Sequence, residues 1–255
     1  MSKYFIALIL FTLIFSSCST KKDILYIQDF DKNESIPINY LEYKLKVDDI
    51  LKISITTEIP EAALVFDPNA INPNISNTKD ALLFSGFQIS PDGFIYFQNL
   101  GEIKAIGLTL NELRESLYNK IVESQLLTNP SIDIKILNSE FTIIGEVLRP
   151  GKYEFLENNL NIFEAIGMAG DLTINGKRND IKLIREIEGE RKIINLDLTS
   201  YGFLKSNDKY QIFPGDIILV NPNTTRIKNA GIIGNSGTLL SLLSFILSSI
   251  IVISR

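Results

Sequence analysis

The chain has 255 residues, with 25 Lys and Arg against 30 Asp and Glu and no histidine. That length allows one large domain or two small ones, and the net charge of -5 leaves nothing to neutralise a run of phosphates, so nucleic acid is not a partner. Without imidazole and with a single cysteine, Ser-His and Cys-His nucleophile pairs and His/Cys zinc sets are excluded; neither an enzyme nor a cofactor is expected.

The N-terminus reads as a processing signal. Lys3 supplies a cationic start, and Tyr4 to Phe15 is an apolar run of about 18 Å as a helix, too short for a hydrocarbon core of about 30 Å. Phe15-Ser16-Ser17-Cys18-Ser19 follows. The small residues before the sole cysteine resemble the lipobox of bacterial lipoproteins, which implies that Cys18 is acylated and becomes the mature N-terminus. The plainer reading of Cys18 is a stray thiol.

Residues 19–42 form a polar lead-in without periodicity. A turn at Val47-Asp48-Asp49 then feeds a strand with Leu51, Ile53 and Ile55 on one face. Thr56 to Asp80, with three prolines and four asparagines, reads as a long loop. A strand pair is expected about the turn Ser90-Pro91-Asp92-Gly93. Thr109 and Glu112 have capping-box spacing ahead of a helix that puts Leu110, Leu113, Leu117 and Ile121 on one face. Ser131 to Leu137 alternates as a half-buried strand.

A second unit starts with the strand Phe141 to Val147, turns at Arg149-Pro150-Gly151 and returns through Tyr153 and Phe155. Asn161 and Glu164 again have capping-box spacing, for a short helix ending at Gly170. Strands about Ile181 to Arg185 and Ile217 to Val220 close a small α+β, grasp-like unit. Asp49 and Asp216 each stand just before a buried strand. They are read as fastening their own turns rather than as a paired acid site.

From Ala230 to Ser254 the chain carries no charge. Gly237 to Ser254 gives about 27 Å as a helix, near the thickness of a bilayer, so a transmembrane helix is expected. Ala230, Gly234, Gly237, Ser241, Ser244 and Ser248 form a stripe of small residues, with Leu239, Leu243, Phe245 and Ile246 on the remaining, lipid-facing surface. The stripe reads as a seam between helices or a pore lining. A plain anchor whose serines bond their own helix is the third reading.

The stretch Phe87-Gln88-Ile89-Ser90-Pro91-Asp92-Gly93 through Leu100-Gly101-Glu102-Ile103, with Gly107-Leu108-Thr109 and Asn129-Pro130, resembles the export domain of polysaccharide export outer-membrane lipoproteins, the Wza-like family. Val47-Asp48-Asp49 stands where the family usually has Pro-Gly-Asp, and Asn99 where it often has Pro. Pro150-Gly151, the run Ile162 to Asp171 and Pro214-Gly215-Asp216 are similar to a single SLBB domain, a β-grasp module.

The expected fold class is therefore α+β, an export-domain α/β unit followed by a β-grasp-like SLBB domain and a C-terminal transmembrane helix. The expected division is a signal peptide over 1–17, a lead-in over 18–42, the export domain over 43–137, the SLBB domain over 138–222, a linker over 223–229 and the membrane helix over 230–255. The resemblance implies a lipid-anchored bacterial outer-membrane protein with periplasmic domains. It would form a homo-oligomeric ring that conducts capsular or exopolysaccharide, partnered by an inner-membrane co-polymerase or tyrosine autokinase and by membrane lipid. The alternative is a periplasmic glycan-binding or scaffold lipoprotein whose tail is an inner-membrane anchor.

Overall fold

A computed structural model of the chain describes residues 24–29, 35–66, 78–97 and 99–223, and in the tail residues 237, 240, 241, 244, 245, 248, 249 and 252. The expected signal peptide over 1–17 and Cys18 lie outside the described residues.

In the first unit, strand β1 (Ile50–Thr56) is the centre of a three-stranded antiparallel sheet, between β2 (Phe87–Gln88) and β5 (Ser131–Ile136). The alternation read from the sequence sets the faces: Leu51, Ile53, Ile132 and Ile134 point into the core. Strands β3 (Phe94–Phe97) and β4 (Gly101–Lys104) form a separate hairpin. The strand pair expected across Ser90–Gly93 is thus corrected. Although Ser90 and Phe94 share a backbone bond across the turn, β2 pairs with β1 and β3 with β4. The expected long loop is corrected at both ends by short helices, α1 (Pro60–Ala63) and α2 (Lys79–Ser85). Helix α3 (Leu110–Glu123) carries both halves of the capping box, and Leu113, Leu117 and Ile121 on its inner face are fully buried.

The second unit is a five-stranded sheet. Strands β6 (Glu140–Gly145), β7 (Gly151–Glu154), β8 (Gly176–Ile187), β9 (Glu190–Leu196) and β10 (Ile217–Pro222) are ordered β7-β6-β10-β8-β9. The first and last strands, β6 and β10, run parallel side by side, and every other pairing is antiparallel. Phe141, Ile143, Ile181, Leu183, Ile218 and Val220 point to one face and are buried. There they pack against helix α4 (Ile162–Met168), whose Asn161–Glu164 capping box forms as expected. Gly145 closes the parallel pair with φ +96°, and a Cβ there would lie 2.1 Å from the Val220 carbonyl oxygen, so only glycine lets the strands approach this closely.

Strand β9 is the element the sequence hides. All but its last residues are exposed on both faces, so no alternation marks it. The Glu188-Gly189 turn that feeds it, with both residues at positive φ, has the two-residue hairpin geometry without its usual Asn or Asp. A last short helix, α5 (Asn207–Tyr210), precedes β10.

Candidate membrane-facing site

The register of the second sheet gives it two distinct ends. At one end Ile217 of β10 lies opposite Ile184 of β8; at the other Pro222 lies opposite Gly176. Six residues of strand separate these ends by about 20 Å.

The end that holds Asp216 carries the first unit. Arg185, buried in β8, donates from Nε and Nη2 to the Asp216 carboxylate at 2.9 and 2.6 Å, from Nη1 to the Asp208 carbonyl and from Nη2 also to the Gln211 carbonyl. Its guanidinium lies 4.4 Å from the Phe213 ring centroid. The Phe213 ring in turn packs on Tyr43 of the first unit at 5.9 Å. Lys46 donates to the Glu186 carbonyl, and the Gln211 amide exchanges two hydrogen bonds with the Leu41 backbone. The two acids fasten their own turns: Asp49 accepts from the Lys46 amide and Asp216 from the Phe213 amide, both at 2.8 Å. Asp49 also accepts from the Tyr43 hydroxyl. Burial, then the neighbouring Asp49 charge, pushes the Tyr43 hydroxyl far above the ordinary tyrosine range, so it stays a donor. Arg185 falls on the same face of β8 as the buried Ile181 and Leu183, so alternation places it inward, but nothing in the sequence names Asp216 as its partner.

A cleft of about 440 Å³ opens between the units. Several of its charged and amide side chains are engaged within the protein: Arg114 donates to Asn111 and the Ile132 carbonyl, Asn111 to Glu42, and Lys135 pairs with Asp133.

The opposite end is built around the loop 171–176. Gly170 and Asp171, both at φ 80°, turn the chain out of α4. Three segments meet there. The stretch after β6 is bonded by Leu148 N–H to the Asp171 carbonyl and by Thr173 N–H to the Glu146 carbonyl, each at 3.0 Å. The exit of β10 is bonded by Asn223 N–H to the Asn175 carbonyl. The third segment is the lead-in. Residues 27 and 28 add backbone hydrogen bonds to the Leu198 and Thr199 carbonyls, and Asp29 accepts from Ser200 and from the Tyr201 amide. Tyr26 seals the junction. Its hydroxyl donates to Asp171, its ring meets Phe163 edge-on at 5.8 Å, and the Arg178 guanidinium stands 5.1 Å from the ring centroid. Burial and the Asp171 hydrogen bond raise the Tyr26 hydroxyl above its ordinary range. The docking of 24–29 left no periodicity to read, because it is made through backbone groups and one aromatic.

In the tail, the described residues Gly237, Leu240, Ser241, Ser244, Phe245, Ser248, Ser249 and Val252 are helical. Gly237, Ser241, Ser244 and Ser248 are exposed, as is Phe245; Leu239, Leu243 and Ile246 lie outside the described residues. The Ser241, Ser244 and Ser248 hydroxyls donate to the carbonyls of Gly237, Leu240 and Ser244 at 2.7, 2.8 and 2.8 Å. Each proton is thus used on its own helix, while each oxygen keeps an acceptor lone pair facing outward. Among the described residues no helix is long and apolar enough to cross a membrane, so the described part of the tail does not support the transmembrane helix expected over 230–255.

An α/β unit followed by a grasp-like sheet, with residues 24–29 and Asn223 meeting at the far end of that sheet, is the architecture on which the comparisons fall. Residues 39–137 match the family model of polysaccharide biosynthesis/export proteins, and residues 141–195 match the SLBB domain. The first unit is thus similar to the polysaccharide biosynthesis/export family and the second to the SLBB domain, and proteins of the export family are transport proteins rather than enzymes. The chain is similar to the EPS I polysaccharide export outer membrane protein EpsA of Ralstonia nicotianae, 29% identical over 153 residues, covering 56% of this chain and 38% of that protein. It is also similar to the protein of the same description from Ralstonia solanacearum, 26% identical over 149 residues, covering 56% and 39%. The chain thus spans about two fifths of the length of these relatives.

Proposed function

We propose that the chain is one subunit of an outer-membrane conduit that passes capsular or exopolysaccharide to the cell surface, anchored by lipid on Cys18 and by a membrane helix over 230–255. The relatives' description as polysaccharide export outer membrane proteins supports the cargo and the location. The observation that carries the reading is that both anchoring segments leave from one loop: Tyr26 is clamped on Asp171, and Asn223 on Asn175. Cys18 lies eight residues before Tyr26, a reach of at most about 28 Å, and Gly237 lies fourteen residues after Asn223, at most about 50 Å. Two short tethers from one end suit two anchors in one membrane. A scaffold with its lipid in one membrane and its tail in the other would send them from opposite ends.

One helix encloses nothing, so the conduit requires copies. Eight helices about 10 Å across, side by side, make a ring about 25 Å between centres and a lumen of about 15 Å, wide enough for a hydrated sugar chain. In that ring the outward serine oxygens line the lumen or the neighbouring helix, and Leu239, Leu243, Phe245 and Ile246 face lipid. The first unit, at the other end of the sheet, points into the periplasm toward an inner-membrane co-polymerase or tyrosine autokinase.

Charge placement tests the orientation. The expected result is that Ser244→Lys inserts and changes single-channel conductance in planar bilayers, whereas Leu243→Lys fails to insert, since a lysine facing lipid at mid-membrane costs about 3 kcal/mol. Equal behaviour of the two would remove the stripe from the account.

A further inference from the structure

The loop 171–176 carries a feature that the anchors alone do not require. Leu148 and Ile174 project from the loops that meet at Asp171 and Glu146, and they are 65% and 78% exposed. Ile24 and Leu25, next to Tyr26 in the chain, are each 43% exposed. Arg149 beside Leu148 is exposed at the surface and donates from Nη2 to the Met168 carbonyl. Apolar side chains this exposed, with a cation among them, stand at the end of the sheet from which both tethers leave. The other residues of similar character are elsewhere: Ile193, 64% exposed, is paired with Ile184 at the end that carries the first unit.

We infer that Leu148 and Ile174 form a membrane-contact surface, seated in the headgroup and upper acyl region of the bilayer that holds the lipid on Cys18. The occupant is lipid, not protein, because the chain itself delivers it. The tether from Tyr26 to an acylated Cys18 is short enough to hold this end against the surface, and the apolar tips then lie in the boundary where leucine and isoleucine partition favourably. Arg149 adds a cation at headgroup depth, suited to anionic phospholipid. The contact fixes the tilt of the second unit on the membrane, which attachment through Cys18 and the tail alone does not. This inference rests on the reading that the lipid and the tail share one membrane.

The chain contains no tryptophan, so a single introduced indole reports its own surroundings. Leu148→Trp and Ile174→Trp replace exposed side chains, so the larger ring meets no core. Ile193→Trp is the control at the far end of the sheet, and Phe245→Trp reports on the tail. Each full-length, lipidated variant is reconstituted into phosphatidylethanolamine/phosphatidylglycerol vesicles, with and without brominated acyl chains. The expected result is blue-shifted emission at 148 and 174 that loses most of its intensity to brominated lipid, with no loss at 193. A blue shift without bromine quenching would mean that a second copy of the chain covers these residues, and would overturn the inference. Quenching at 148 and 174 no greater than at 193 would overturn it as well. Quenching at 245 but not at 148 and 174 would sink the contact surface and leave the membrane tail standing. Quenching at 148 and 174 but not at 245 would do the reverse.

Discussion

At the residue scale, Arg185 with Asp216 is the group that holds the second unit's side of the junction, fixing the Phe213 ring on which Tyr43 of the first unit packs. Both charged groups are almost wholly buried, and the guanidinium satisfies the carboxylate, two carbonyls and a ring face at once. Such a pair is not itself a large source of stability, because desolvation offsets most of the attraction. Removing one partner is another matter, since it leaves a charge buried without its counterion. Asp216→Asn keeps an acceptor for the Phe213 amide but strands Arg185. It is expected to cost about 3 kcal/mol, read as a lowered urea midpoint of the detergent-solubilised protein. An unchanged midpoint would mean that water reaches Arg185. The sequence shows Asp216 as a turn residue and conceals its second role, because the partner stands 31 positions away and nothing local marks it.

At the element scale, the helices are the most legible part of the chain. Thr109 with Glu112, and Asn161 with Glu164, have the spacing that satisfies two orphan amides reciprocally, and both boxes form. The Thr109 amide bond to Glu112 holds its carboxyl below the ordinary glutamate range. A lowered folded-state pKa contributes stability above the unfolded-state value and loses it as pH falls through the folded one. Thr109→Ala removes the cap hydroxyl but keeps the amide, so Glu112 is expected to stay below the ordinary range in an NMR pH titration while the protein loses about 1 kcal/mol from the lost cap. A return of Glu112 to the ordinary range in this variant would show that the hydroxyl, not the amide, holds its carboxyl down.

Strands were legible where one face is buried, as in β1 and β5, since alternation then records the core. They were illegible where burial gives no pattern. The edge strand β9 is exposed on both faces, and β2 is two residues long, so its choice of β1 over β3 is decided by tertiary packing. The lead-in was illegible for a related reason: backbone amides bond the second unit whatever side chains 27 and 28 carry.

At the scale of the whole molecule, the register of β8 against β10 puts the first unit at one end of the second sheet and the described segments 24–29 and Asn223 at the other. That polarity could not be read from sequence, because it depends on which ends of the strands meet. The conduit proposed above uses that polarity, taking one end as the membrane end and the other as the periplasmic end. The most direct test is an epitope tag placed after Arg255, probed with antibody on intact and on lysed cells. The account predicts labelling of intact cells, because the tail crosses the same outer membrane that holds the lipid on Cys18. Labelling only after lysis would contradict it and return the chain to the role of a periplasmic scaffold.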